Sequence, residues 1–277
     1  MLEAISYTWL AAVGALMTSH GSPQIVPMVL ACASAFTIAL CVYVYNDVTD
    51  EEMDILNPTK SARPLPAKKA TRAEALNFVY LMGIISMILP LFVNLELSLL
   101  CAFWLGWFIV YSTPHVRLKK RLILKEGTPA LGYFLATIAG AKAVGPITLP
   151  VMFGGMMSGI FIFFSLPAFR DTQDVKEDTL YGVKSLATIL PWKRRLEMVI
   201  ICVLGIMTLT PLTYANLGLN VIFPIVTVAM GFVLLRVLLP LHKGIEEKRF
   251  KTALKFGTSY FFLIQISLIL GALPALL

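Results

Sequence analysis

Apolar residues in this chain of 277 come in long unbroken runs, not at alternating positions. A helix needs about 20 predominantly apolar residues, at a rise of about 1.5 Å each, to cross a hydrocarbon core about 30 Å thick. Runs of that length recur near residues 4–20, 24–45, 72–93, 95–112, 128–145, 148–169, 196–214, 218–240 and 254–275. The pattern predicts an all-α, polytopic membrane bundle with nine transmembrane helices around a central cavity. The fifth run is the weakest, being short and broken by Gly132, Gly140 and Lys142. Only Glu3 is charged ahead of the first run, which therefore reads as a span and not as a cleaved signal peptide.

Polar residues fill the gaps unevenly. Of the 23 Lys and Arg, 22 lie in or beside the connections after the second, fourth, sixth and eighth runs, and only Lys142 lies on the other side. The positive-inside rule turns this segregation into a topology: N-terminus and basic connections cytoplasmic, C-terminus outside. Net charge +7 then reflects orientation and attraction to anionic lipid, and implies no nucleic-acid partner. Hydrophobic residues at 58% with only 14% charged exclude a soluble globular chain. Cys32, Cys41, Cys101 and Cys202 sit in apolar runs without metal-ligand spacing, and His20, His115 and His242 stand singly. No Gly/Ser/Pro linker interrupts the chain, so 1–277 reads as one domain.

All six aspartates fall into two triplets of identical spacing, Asp47/Asp50/Asp54 and Asp171/Asp174/Asp178. On a helix, positions i, i+3 and i+7 fall within an arc of roughly 60° and aim three carboxylates one way. Such clusters repel unless a hard cation such as Mg2+ joins them to substrate phosphates. The triplets follow the second and sixth runs, 124 residues and four spans apart. An even number of spans keeps direction, so residues 1–125 and 126–250 read as quasi-repeated parallel halves plus a last helix. Both triplets are then expected at one membrane face, opposed across the bundle. Breakers follow each: Asn57-Pro58 and Arg63-Pro64-Leu65-Pro66 after the first, Tyr181-Gly182 after the second. Gly155-x-x-x-Gly159 in the sixth run predicts close helix packing.

Asn46-Asp47-x-x-Asp50-x-x-x-Asp54 with Arg63-Pro64-Leu65-Pro66 resembles the first signature of the UbiA-type intramembrane prenyltransferases. The run from Tyr111 and Ser112 through Pro114, Arg117 and Lys119 resembles their mid-chain segment. Asp171-x-x-Asp174-x-x-x-Asp178, followed by Gly182-Val183-Lys184-Ser185-Leu186, resembles their second signature, with Glu177-Asp178 where members often have Gly-Asp. The resemblance covers residues 40–190 in order.

It implies a prenyltransferase that binds an isoprenyl diphosphate donor through Mg2+ held by Asp47, Asp50, Asp54, Asp171, Asp174 and Asp178. Among these, Asp50, Asp54, Asp174 and Asp178 are the expected catalytic ligands. By the same resemblance, Asn46, Arg63, Tyr111 and Lys119 contact diphosphate or acceptor. The acceptor is a lipid or aromatic molecule in the membrane. The motifs lean toward the branch that prenylates geranylgeranylglyceryl phosphate, with aromatic, quinone-precursor or chlorophyll-type transfer as alternatives. Phe103, Phe108, Phe161, Phe163 and Phe164 are candidate tunnel-lining residues, although packing is the simpler role for each. Two rivals lose ground on sequence. A CDP-alcohol phosphotransferase needs a D-G-x-x-A-R stretch that is absent. A transporter usually sets its acids near the membrane midplane, whereas these lie at span ends.

Overall fold

The computed structural model describes residues 2–57 and 60–274, which leaves Pro58 of the first breaker outside the described residues. Eleven helices follow in order: α1 (Leu2–Thr18), α2 (Ile25–Leu56), α3 (Arg72–Ile88), α4 (Leu95–Ser112), α5 (Leu124–Val144) and α6 (Leu149–Ala168), then α7 (Val175–Leu180), α8 (Leu186–Ile189), α9 (Trp192–Thr213), α10 (Ile222–Leu238) and α11 (Glu247–Ala272). Among the described residues there is no strand, as the run pattern requires.

Among the described residues, seven helices are long and apolar enough to cross a membrane. The other two expected spans correspond to α1 and α5, and each departs from the pattern for a reason. Helix α1 has 17 residues. Helix α5 carries Lys125, Glu126 and Lys142 and packs on α1, α2, α4 and α6, burying residues all along its length. Its neighbours are protein instead of lipid, so it needs less hydropathy than an outer helix. The outer helices turn Leu91, Phe92, Leu95, Leu212 and Phe232 outward, as a lipid-facing surface demands.

Contact around the bundle closes into a ring: α11 packs on α10, α6 and α1, and α1 on α2 and α5. At the α1/α5 crossing the backbones touch. A Cβ on Gly14 would lie 1.9 Å from the Thr137 carbonyl oxygen, and one on Gly140 would lie 1.7 Å from that of Ala11. Between helices in lipid, with no hydrophobic drive to associate, such close approach supplies the packing energy. Gly159 likewise meets the Ala130 carbonyl, its added Cβ falling 2.8 Å away, so the Gly155/Gly159 pair packs α6 on α5 as its spacing predicts.

Candidate active site

Helix α2 runs unbroken to Leu56, about ten residues past its apolar stretch, because no Gly or Pro intervenes before Asn57. Asn46, Asp47, Asp50 and Asp54 therefore share one helix, on the face turned to the bundle interior. The second triplet is built differently. Helix α6 stops at Ala168, a 3-10 turn covers Asp171–Gln173, and α7 starts at Val175. Two α-helical acceptors are taken by side chains. The buried Arg195 donates to the Pro167 carbonyl at 2.6 Å, and the Thr172 hydroxyl donates to the Ala168 carbonyl at 2.8 Å. The chain leaves α-helical geometry there, so one helix face for Asp171, Asp174 and Asp178 is corrected to a turn followed by a short helix, with these side-chain bonds holding the last carbonyls.

Both triplets nonetheless line one cavity of about 200 Å3, and every expected site residue reaches it: Asn46, Arg63, Tyr111 and Lys119 as well as the six aspartates. The triplets oppose each other. The Lys60 ammonium lies 2.9 Å from Asp174 and 3.7 Å from Asp54, bridging the second motif to the first. Asn57 donates from Nδ2 to Asp174 Oδ1 at 3.2 Å.

Cations are threaded through the acidic set. Arg63 donates to Asp47 at 2.6 Å and to Asp54 at 2.8 Å. Lys119 reaches Asp50 at 2.6 Å and Asn46 Oδ1 at 2.9 Å, while Arg117 reaches Asp50 at 3.0 Å. Lys125 pairs with Asp178 and lies 3.7 Å from Asp171. Tyr111 donates to the Lys125 carbonyl at 3.2 Å, fixing the start of α5. Burial pushes the Asp178 carboxyl above its usual range against the opposing pull of Lys125. Burial also lowers the Lys119 ammonium, with Asp50 opposing.

Sequence reasoning did not single out Lys60, Lys125 or Asn57 for the site, and it weighed Arg117 only as part of a run. Basic residues at membrane-helix ends are expected for topology, so spacing alone does not mark those that turn inward. One local signal does exist. Arg117 adopts a left-handed backbone (φ 43°), unusual for a residue with a Cβ, and this turn brings Lys119 onto Asp50. Among the aromatic candidates, Phe108 lines the cavity, whereas Phe103, five residues earlier, faces outward at 52% exposure and packs on Trp107. Five residues rotate a helix by about 140°, so one helix cannot point both rings inward.

Among the described residues, no three acidic, His or Cys side chains already converge on one point as a metal cluster. The donor set still fits a hard divalent cation: carboxylate oxygens on facing walls, with an ammonium already lodged between Asp54 and Asp174 where positive charge is stabilised. Mg2+ keeps several waters and binds through one or two carboxylates plus substrate phosphates, so the walls need not close around it. Lys60, Arg63, Arg117, Lys119 and Lys125 balance the carboxylates, and a diphosphate would offer them better partners. We expect Lys125→Met to raise the donor KM about tenfold or more in steady-state assays, because it strands Asp171 and Asp178 and removes a phosphate contact. An unchanged donor KM would remove Lys125 from the site.

The UbiA prenyltransferase family model matches residues 7–264. The chain is 31% identical over 214 residues to the digeranylgeranylglyceryl phosphate synthase of Sulfolobus acidocaldarius, covering 74% of this chain and 72% of that one. It is 29% identical over 210 residues to the 4-hydroxybenzoate octaprenyltransferase of a Marinomonas species, covering 76% and 69% of the two chains. A UbiA homologue from Archaeoglobus fulgidus, solved with GPP and Mg2+, superposes with a TM-score of 0.71 at 14% identity, over 96% of each chain.

Proposed function

The chain belongs to the UbiA prenyltransferase family, an integral membrane prenyltransferase by that membership, and on that premise we propose that it moves an isoprenyl group from its diphosphate to a lipid phosphate acceptor, with Mg2+. The reading rests on one observation: Asp54 and Asp174, from motifs 120 positions apart, flank the same ammonium across one cavity. Solved with GPP and Mg2+, the Archaeoglobus homologue of the same fold supports the donor and the metal.

Asp47, Asp50, Asp54, Asp171, Asp174 and Asp178 would hold the metal. When bound, Mg2+ supplies positive charge against the charge that develops on diphosphate as the allylic C–O bond weakens. The rest falls to protein groups. Arg63 forks onto phosphate oxygens, while Lys60, Lys119, Lys125 and Arg117 add point and bidentate charge. Because these donors are already aimed into the cavity, little reorganisation is needed as the bond breaks. Asn46, positioned by Ser112 and Lys119, orients the diphosphate. The electron pair of the broken bond leaves with diphosphate, the acceptor hydroxyl oxygen bonds the allylic carbon, and the hydroxyl proton passes to the released diphosphate. Val42, Tyr43, Phe108 and Pro129 line the same cavity and keep its inner end apolar, which limits capture of the carbocation by water.

For the acceptor, a lipid phosphate is preferred. The Sulfolobus relative is named for such a product, and the site opens among basic connections that attract an anion. Segregation of Lys and Arg supports a cytoplasmic active-site face, with the N-terminus on the same side and the C-terminus outside.

The decisive assay offers radiolabelled geranylgeranyl diphosphate with geranylgeranylglyceryl phosphate or 4-hydroxybenzoate, with and without EDTA. We expect transfer to the lipid phosphate and loss of more than about 99% of it on chelation, restored by Mg2+. Metal-independent transfer would overturn the metal reading; transfer only to 4-hydroxybenzoate would overturn the acceptor.

A further inference from the structure

A second cavity, of about 160 Å3, lies beside the first among α1, α6, α9, α10 and α11. Its walls are mostly apolar, with Phe161, Leu238, Phe261 and Phe262 among them, and Glu3 and Arg170 are the charged residues in its lining. Among the described residues Arg170 alone lines both cavities. It directly precedes Asp171 in the chain, yet its ion pair is with Glu3 of α1 and with no motif aspartate. About half of its side-chain surface remains open, against 15% for Glu3. A guanidinium therefore stands on the wall between the diphosphate cavity and an apolar chamber, held by a carboxylate from another helix.

A pair whose arginine keeps about half of its side chain open adds little to stability, so its place on the wall between the two cavities asks for another role. The pair is better explained as a place-holder. We propose that the second cavity is the acceptor chamber and that Arg170 selects acceptors bearing a phosphate, which displaces Glu3 from the guanidinium. The inference rests on the lipid phosphate reading above and names the site and residue responsible. A phosphate offers Arg170 two oxygens in fork geometry, while the isoprenoid chain fills the chamber. The acceptor hydroxyl then approaches the donor from the Arg170 side of the shared wall. Glu3 competes with the acceptor, and that sets its sign opposite to that of Arg170.

The test compares kcat/KM for geranylgeranylglyceryl phosphate with that for the same lipid lacking phosphate, in wild type, Arg170→Gln and Glu3→Gln, with donor KM as a control. Taking the ratio cancels general damage to folding or chemistry. Arg170→Gln should lower the preference for the phosphorylated acceptor about tenfold or more, and Glu3→Gln should raise it several-fold. If both variants lower the ratio, or neither moves it, the pair is a structural tie and the proposal fails. A wild-type enzyme active on the phosphorylated lipid with an indifferent Arg170→Gln overturns this inference alone. A wild-type enzyme that never uses phosphorylated lipids overturns the acceptor reading along with it.

Discussion

Replacing Asp174 by alanine is expected to lower turnover about 10²–10³-fold while the protein still inserts and keeps its melting temperature within a few degrees, and Asp50→Ala should do the same. The magnitude is that of removing one preorganised electrostatic partner from a developing charge. Each residue forms ion pairs across the site: Asp174 with Lys60, Asp50 with Lys119 and Arg117. Removing Asp50 leaves Lys119 and Arg117 without their carboxylate, and removing Asp174 leaves Lys60 only the more distant Asp54; these cations can still pair with diphosphate, so donor binding should survive better than turnover. A cycle of Asp54→Asn and Asp174→Asn separates opposed motifs from independent ones. Residues that share a partner couple, and the double variant should lose much less than the product of the single losses. Near-normal turnover in Asp50→Ala or Asp174→Ala would sink the metal assignment. Strict multiplicativity in the cycle would sink the shared site.

Gly140→Val carries the second large effect, on assembly. Its new Cβ would sit 1.7 Å from the Ala11 carbonyl oxygen and 2.5 Å from the carbonyl carbon. Backbone cannot swing aside as a flexible side chain would, so α1 and α5 must part or one must bend. Overpacking costs about 1–3 kcal/mol in well-packed cores and more where backbone is struck. We therefore expect thermal unfolding in detergent to fall by many degrees, with a loss of monodisperse protein on gel filtration. Gly14→Val should behave alike, its Cβ meeting Thr137 at 1.9 Å. Gly106→Ala is the control: a Cβ there meets nothing within 4 Å, and alanine favours the helix. Wild-type stability in Gly140→Val would show that the crossing is looser than described. Activity should fall with assembly, because α1 brings Glu3 to the second cavity and α5 brings Lys125 and Pro129 to the first.

How much of the site was readable differs between its two walls. The Asp47, Asp50 and Asp54 wall follows from spacing alone, because α2 is continuous and a continuous helix has a fixed period. For the Asp171, Asp174 and Asp178 wall the identical spacing misleads about local geometry. The chain leaves the helix at Ala168, where Thr172 and the distant Arg195 donate to the last carbonyls. Convergence on one cavity survives that error because the turn returns all three carboxylates to the same side.

The expectation of nine spans shows a similar limit. Hydropathy measures what a helix would prefer as a neighbour, and α5 has protein neighbours on most sides, so its sequence falls short of the apolar stretch a lipid-facing helix carries.

Resemblance to the family pointed to Asn46, Arg63, Tyr111 and Lys119, and by itself the amino-acid sequence determined the helical class, the membrane environment and the spacing of the six carboxylates. These depend on hydrophobicity, helical period and charge, which are properties of neighbours along the chain. Only the tertiary structure decided that Lys60 lies between Asp54 and Asp174, that Arg117 and Lys125 line the cavity while Lys68, Lys69, Lys120 and Arg121 do not, and that Arg170 divides two cavities. Those choices are set by where helices cross, and crossings depend on pairs such as Gly14 with Thr137 and Gly140 with Ala11, whose partners lie more than a hundred positions away.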